Sequence, residues 1–446
     1  MDHQLLLAED YFVNTPTLAV STPSSKRNWQ NILPWVVFLT GMLYYCFAYL
    51  LRVYPSVMEG HLLSRFDAPV RDFGFITGFY YLAYAPMQLF VGVTVDRIGA
   101  RQSLLRGCLI ACLGVFIFAS TRSFEIALAG RFLIGLGAAF AYVTALKIAT
   151  LWLPRRFFAT ATGFVTGGGM IAAIFTDNYL THLIHNSGFH RALYFPLYAG
   201  VFVFLCIFLM ARNKKNTPEE IKHSNIAYTG SYRQLLLQLW GIAKMPQMWL
   251  IGIVGALLYL PSSVFVDAWA IPFLKTARHF TSAEAAVGAS VTLAGWIISS
   301  FVTGYLSDRL HTRKIPLLIA AVGAAFISSA IIFIPISQPS TMYILLFLLG
   351  VCCGPHPLCF ALSKENCPVE ISGTAVSFAN FLIMLGGMLL QPAVGEFLSM
   401  LKHGAKIMPT AYTNVDFAIA LSIIPIGLIV AFFLVLRIKE TYGRHN

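Results

Sequence analysis

The sequence predicts an all-α membrane protein, with twelve transmembrane helices arranged as two pseudo-symmetric six-helix bundles. Three observations carry that expectation: an extreme composition, a six-linker-six spacing of apolar runs, and a polar loop that recurs at one fixed offset. Of 446 residues, 57% are hydrophobic and only 11% are charged, and the mean hydropathy is +0.72. Soluble domains carry roughly 25% charged residues. A chain this apolar cannot cover a water-facing surface with polar groups, so its main solvent is lipid.

A helix needs about twenty mostly apolar residues to cross a bilayer. Such runs fall near 32–57, 73–92, 102–120, 126–151, 158–182 and 192–211, then near 248–273, 283–304, 315–336, 341–363, 372–397 and 416–437. The expected organisation is therefore a tail over 1–31, a first bundle over 32–211, a polar linker over 212–246, a second bundle over 247–437 and a short tail over 438–446. The first apolar run is too long for a cleavable signal and lacks a small-residue cleavage site after it, so it reads as an uncleaved span. Seven of the eight cysteines sit within apolar stretches and show no paired zinc-like spacing, which makes them small packing residues rather than a framework.

The formal net charge is +12, but the basic residues form short clusters between apolar runs and no patch of the kind that binds nucleic acid. With the N-terminus inside, 20 of the 31 Lys and Arg fall on the cytoplasmic side, 8 on the outer side, and Arg52, Arg131 and Lys147 within spans. The positive-inside rule then places both termini and the linker in the cytoplasm. For a bacterial chain this means the inner membrane.

The halves repeat. GVTVDRIGARQ follows span two and GYLSDRLHTRK follows span eight. Gly92, Asp96, Arg97 and Arg101 match Gly304, Asp308, Arg309 and Arg313, each pair 212 residues apart. Four matches at one offset indicate two homologous halves, the parallel repeat found in one class of transporters. Gly99 belongs to the first copy, and His311 stands in its place in the second.

This G-x-x-x-D-R-x-G-x-R loop resembles the signature of the major facilitator superfamily, and the resemblance extends over residues 32–440. It implies that Asp96 and Asp308 help lock the cytoplasmic gate, bonding neighbouring arginines and a helix N-terminus across the interface between halves. Span four carries a second pattern of that superfamily, Arg131-x-x-x-Gly135-x-Gly137, whose glycines allow close helix approach. Arg131 either takes part in coupling or snorkels to the outer surface. The glycine-proline ladder of drug antiporters is missing from span five, GFVTGGGMIAAIF, which tilts the direction towards uptake. Finer strings (YCFAYLLRVYPSVM, ALKIATLWLP, DAWAIPFL and IKETY) look similar to the phagosomal nutrient transporters of intracellular bacteria, implying import of amino acids, small peptides or nucleosides.

An ionised side chain within a membrane costs at least a few kcal/mol, so each one asks for a reason. Arg52, three residues before Pro55, either grips a carboxylate or phosphate in a central cavity or snorkels outwards. Lys147 either faces the same cavity or reaches the cytoplasm. If two of these cations face it, the cavity is electropositive and selects an anionic or zwitterionic solute. Tyr84 and Gln88 share a helical face with Tyr80, and Trp269 adds an aromatic wall. His356, between Pro355 and Pro357, marks a broken helix of the kind that lines binding sites. Asp267 is the foremost proton-coupling candidate; Asp177 and Glu396, nearer their span ends, are alternatives that hydration could explain.

The sequence holds no P-loop, no H-E-x-x-H and no G-x-S-x-G, which argues against an ATP-driven pump or an enzyme and implies no cofactor. The expected partners are a small-molecule substrate and the lipid bilayer, with no nucleic acid, for a chain working as a monomer. A siderophore or polycarboxylate carrier, and less readily a multidrug exporter, are the alternatives.

Overall fold

A computed structural model describes residues 25–154, 157–212, 232–368, 371–401 and 412–441. The outermost tails and the central part of the linker lie outside the described residues, as do the basic residues expected at 155, 156, 214, 215, 222, 402, 406 and 444. The described residues contain helices and no strand.

Twelve helical segments correspond to the twelve apolar runs. They are α1 (Ser25–Val57), α2 (Val70–Ile98), α3 (Ala100–Ser120), α4 (Phe124–Trp152), α5 (Phe158–Ser187) and α6 (Phe189–Met210). The second half contains α7 (Pro246–Ala277), α8 (Ser282–Leu310), α9 (Lys314–Phe333), α10 (Pro339–Glu365), α11 (Ser372–Leu401) and α12 (Asn414–Arg437). The repeat is visible in the bounds themselves: α2 and α8 are both 29 residues long and start and end at the same offset as the motif.

Ten of the twelve are both long and apolar enough to cross a membrane on those criteria alone. The other two, α2 and α5, are 29 and 30 residues long, but their sequences are diluted with Tyr, Gly, Thr and Gln. Packing explains the dilution. α2 lies mainly against α11, and α5 against α1 and α8, so both sit at the junction of the halves. Their inward faces need not be lipid-like. By contrast, the outer faces of α6 and α9 present Leu209, Ile319 and Phe326, at 71%, 67% and 76% exposure, to what is bilayer in the native setting.

Four helices are interrupted, α12 at Ser422 among them, and proline accounts for the breaks in α7 and α10. Proline lacks an N–H and leaves a carbonyl one turn earlier without its partner. α7 opens into a π-helix over Pro261–Trp269, a form found mostly at functional sites. The Ser263 carbonyl within it accepts from the Gln391 side chain of α11. α10 breaks over Gly354–Pro357, with His356 N bonded to Cys353 O at 3.1 Å, as the Pro-His-Pro string predicts. α4 is jointed at Ala139.

The linker adds an element that the sequence pattern did not announce. Residues Tyr232–Ala243 form a helix that buries Leu235 and Ile242 while Leu236, Leu237 and Trp240 stay exposed. Such an amphipathic segment suits the membrane interface.

Candidate functional site

The molecule has two unlike ends. One carries the Asp96 and Asp308 loops and is termed the motif side; the other is the far side. On the far side the halves are in close contact across α2 and α11. A methyl group on Gly74 would meet the backbone of Gln391 and Pro392 at 2.6 and 2.8 Å. Trp269 helps seal this region: it is fully buried, sits edge-on to Phe73 with ring centroids 5.4 Å apart, and donates from Nε1 to Gln391 O at 3.2 Å.

Between the halves, from that seal towards the motif side, lies a cavity of about 350 Å³. Its walls come from both halves: Arg52, Tyr84, Gln88 and Tyr142 from one, Tyr259, Trp296, His356 and Asn380 from the other. Four of the six residues expected to bind substrate are thus gathered here, namely Arg52, Tyr84, Gln88 and His356.

Arg52 is 5% exposed and does not snorkel. Its guanidinium carbon lies 4.6 Å from the Tyr49 ring centroid, 5.1 Å from that of Tyr84, and 5.7 Å from those of Tyr80 and Tyr81. Nη1 donates to the Tyr259 hydroxyl at 3.2 Å, and Nε has no partner. Aromatic faces stabilise the cation but do not neutralise it. Among the described residues lining the cavity none is acidic.

Asp267 lies just beyond, on the π-helical segment, and is 2% exposed. It accepts from the Tyr81 hydroxyl of the opposite half at 2.5 Å. Tyr81 therefore touches both the guanidinium and the carboxyl. Asp177 of α5 is fully buried as well, and neither of its carboxyl oxygens has a hydrogen-bond partner. His356 stacks on Tyr259 with centroids 4.9 Å apart, and its Nε2 is unpartnered. Gln88 accepts from Asn380 Nδ2 at 3.0 Å, a bond between the halves, while its own Nε2 is unpartnered.

Lys147 and Trp269 are placed elsewhere. Lys147 Nζ sits 2.7 Å from Asp96 Oδ1, so its long side chain reaches the motif-side end rather than the cavity. Trp269 belongs to the far-side seal. Arg131 is also apart from the cavity: it is fully buried and donates from Nε to Ile76 O at 2.8 Å and from Nη1 to Leu51 O at 2.9 Å. Leu51 is the residue four before Pro55, whose missing N–H frees that carbonyl. Arg131 thereby ties α4 to α1 and α2. Gly135, one turn on, lies against the Tyr80 carbonyl with no room for a side chain.

The motif loops form contacts within their own halves and, through Arg97, with the linker helix. Arg101 donates from Nε to Ala211 O at 2.8 Å and covers the end of α6; Arg97 lies 4.2 Å from the Tyr232 ring. Arg309, in the last turn of α8, is exposed. Gly99 takes a positive φ of 84° between α2 and α3, and His311 takes 48° at the matching turn; Gly92 and Gly304 face open space. In the second copy Arg313 Nη1 bonds Asp308 Oδ1 at 2.5 Å and Nη2 bonds Glu365 Oε1 at 2.9 Å. Asp308 thus bonds a neighbouring arginine as expected, Asp96 pairs with Lys147 instead, and among the described residues no bond from either crosses the interface. Asp308 is largely exposed, at 71% of its side chain.

Sequence reasoning missed Tyr259 and Asn380. Both were legible as lone polar residues inside apolar runs, Tyr259 two residues before Pro261.

With cavity, breaks and repeated loops in view, comparison decides the family. Residues 36–391 match the model of the Major Facilitator Superfamily. The chain belongs to that superfamily. It is a multi-pass membrane transporter. Its relatives include the "Probable sulfoacetate transporter SauU" of Cupriavidus necator, 24% identical over 298 residues, covering 65% of this chain and 68% of the relative. Another is the "Uncharacterized MFS-type transporter YhjX" of Escherichia coli, 25% identical over 327 residues, covering 71% and 75%. The crystal structure of a bacterial homolog to the human lysosomal transporter Spinster, inward-facing and occupied, superposes with a TM-score of 0.70 at 16% identity, covering 93% of this chain and 99% of that one.

Proposed function

We propose that this transporter imports a small carboxylate-bearing organic solute by alternating access, driven by protons. The observation that carries the reading is Arg52: a buried guanidinium at the end of a cavity shared by both halves, caged by tyrosines, with a free Nε and no carboxylate within 4 Å among the described ion pairs. A buried cation with no carboxylate in direct contact gains from one, and a substrate carboxylate bound by two parallel N–H groups supplies it. His356, Gln88 and Asn380 offer neutral polar contacts for the rest of the solute. Sulfoacetate, named for one relative, is a small organic anion and fits this chemistry. Amino acids and peptides, the class implied by the phagosomal nutrient transporters, present the same carboxylate.

Asp267 is the proposed proton carrier. Its bond to Tyr81, beside Arg52, links its protonation to the charge at the binding site. Asp96 and Asp308, each paired here within its own half, exchange those pairs for contacts across the halves when the motif side closes; Arg131 acts by positioning α1. The motif side is proposed as cytoplasmic, the membrane as a bacterial inner membrane and the working unit as a monomer.

Uptake into proteoliposomes tests the reading. Labelled amino acids, small peptides and organic acids are offered with and without an inward proton gradient. Gradient-driven accumulation of a carboxylate is expected for wild type. Arg52→Gln should raise KM at least tenfold, and Asp267→Asn should keep solute exchange while losing gradient-driven accumulation. Normal uptake by Arg52→Gln would sink the anion-site reading.

A further inference from the structure

Beyond the central cavity, the far side holds a separate cleft of about 990 Å³. It lies between the halves. Glu59, His61, Ser64 and Arg65 line it from the short helix Glu59–Phe66 that follows α1, and Lys275, His279 and Ser282 line it from the end of α7 and the start of α8. Most of its charged groups are solvated: His61, Lys275, His279 and Arg122 are exposed. Arg65 is committed to the carbonyls of Ala119 and Thr121.

Glu59 differs. It is 8% exposed, and its Oε1 has no hydrogen-bond partner. Lys275 lines the same cleft but is not within 4 Å of it among the described ion pairs. Glu59 shares the lining of the cleft with Lys275 of the second half, and Tyr412 of that half lies near enough to feel its charge, so drawing the halves apart would hydrate it further.

We infer that Glu59 is a proton-binding group of the far-side gate, and that its protonation holds the cleft closed. The inference concerns gating alone and does not rest on the identity of the solute. Burial pushes the Glu59 carboxyl up to about 7 from an ordinary 4.5, with the Lys275 charge acting against that rise. Hydration in the open cleft returns it to the ordinary range. The sign follows from linkage: the closed state has the higher pKa, so proton binding favours closure below pH 7, and this contribution fades as pH rises through 7. Between pH 8 and pH 6 the open-to-closed ratio should fall about tenfold. A proton taken up from the far side would thus help turn the carrier towards the motif side.

Other groups face the same space and have to be separated from Glu59. His61 and Arg65 share its helix, Lys275 and His279 face it from the second half, Arg122 from the α3–α4 connection, and Tyr412 from before α12. Burial and the Lys275 charge hold His61 below its usual range.

The test is the distance between spin labels at Ser64→Cys and Ser282→Cys, one on each half, measured by electron double resonance in lipid nanodiscs without substrate. The expected result is a long-distance population that shrinks about tenfold, relative to the short one, from pH 8 to pH 6. Glu59→Gln should stay closed at both pH values, and Glu59→Asp should keep the response. His61→Gln and His279→Gln should leave it intact. A population ratio independent of pH in the otherwise wild-type background, or an unchanged response in Glu59→Gln, would overturn the proposal. Loss of the response in a histidine variant alone would also overturn it.

Discussion

Replacing Arg131 with methionine should destabilise the fold rather than uncouple transport. The side chain bridges three helices through two charge-assisted hydrogen bonds, to Ile76 O and Leu51 O. Each such bond contributes about 1.5–3 kcal/mol net. Methionine fills much of the volume and removes a buried charge, which recovers part of the loss. The expected net destabilisation is therefore about 3 kcal/mol, or a fall of roughly 3 °C in apparent Tm, read by scanning fluorimetry in detergent. The decisive arm is Pro55→Ala. Alanine restores an N–H at position 55, four residues after Leu51, so the carbonyl gains a helical partner of its own. In the double variant the cost of losing Arg131 should then shrink by about 1 kcal/mol. If Arg131→Met melted like wild type yet lost gradient-driven uptake, the bridging argument would be refuted, and Arg131 would belong with the coupling groups.

Further outcomes follow from the motif side and the packing. Lys147→Gln and Asp96→Asn should each alter transport rate, and the double variant should be no worse than either, because both remove one partly exposed pair that contributes at most about 1 kcal/mol; rate effects that simply add would show separate roles. Glu440→Ala should lower apparent Tm by about 1 °C and leave substrate KM unchanged, since the Glu440 carboxylate accepts from the N–H groups of Arg313 and Lys314 at the start of α9, a cap worth about 1 kcal/mol; a changed KM would contradict this. Gly135→Val should abolish folded protein in size-exclusion chromatography, because its side chain would occupy the position of the Tyr80 carbonyl; a monodisperse, active variant would refute the close approach.

Composition and periodicity alone determine the solvent, the helical class and the number of crossings, because every backbone group in lipid has to be bonded within its own helix. The fixed offset between the two DR loops likewise reveals the repeat, and the Pro-His-Pro string reveals the break in α10. These are local properties, written within a turn or two of sequence. The destinations of the buried charges are not local. Arg52, Arg131 and Lys147 look alike as single cations inside spans, yet one faces a cavity, one bonds two carbonyls and one reaches Asp96. Which fate each meets depends on the helix that lies opposite, and on whether that helix presents tyrosine rings, an orphaned carbonyl or a carboxylate. The same holds for Tyr81 with Asp267 and Gln88 with Asn380, partners 186 and 292 residues apart. Such pairs meet only when the two bundles pack, and a single sequence records no distance between them.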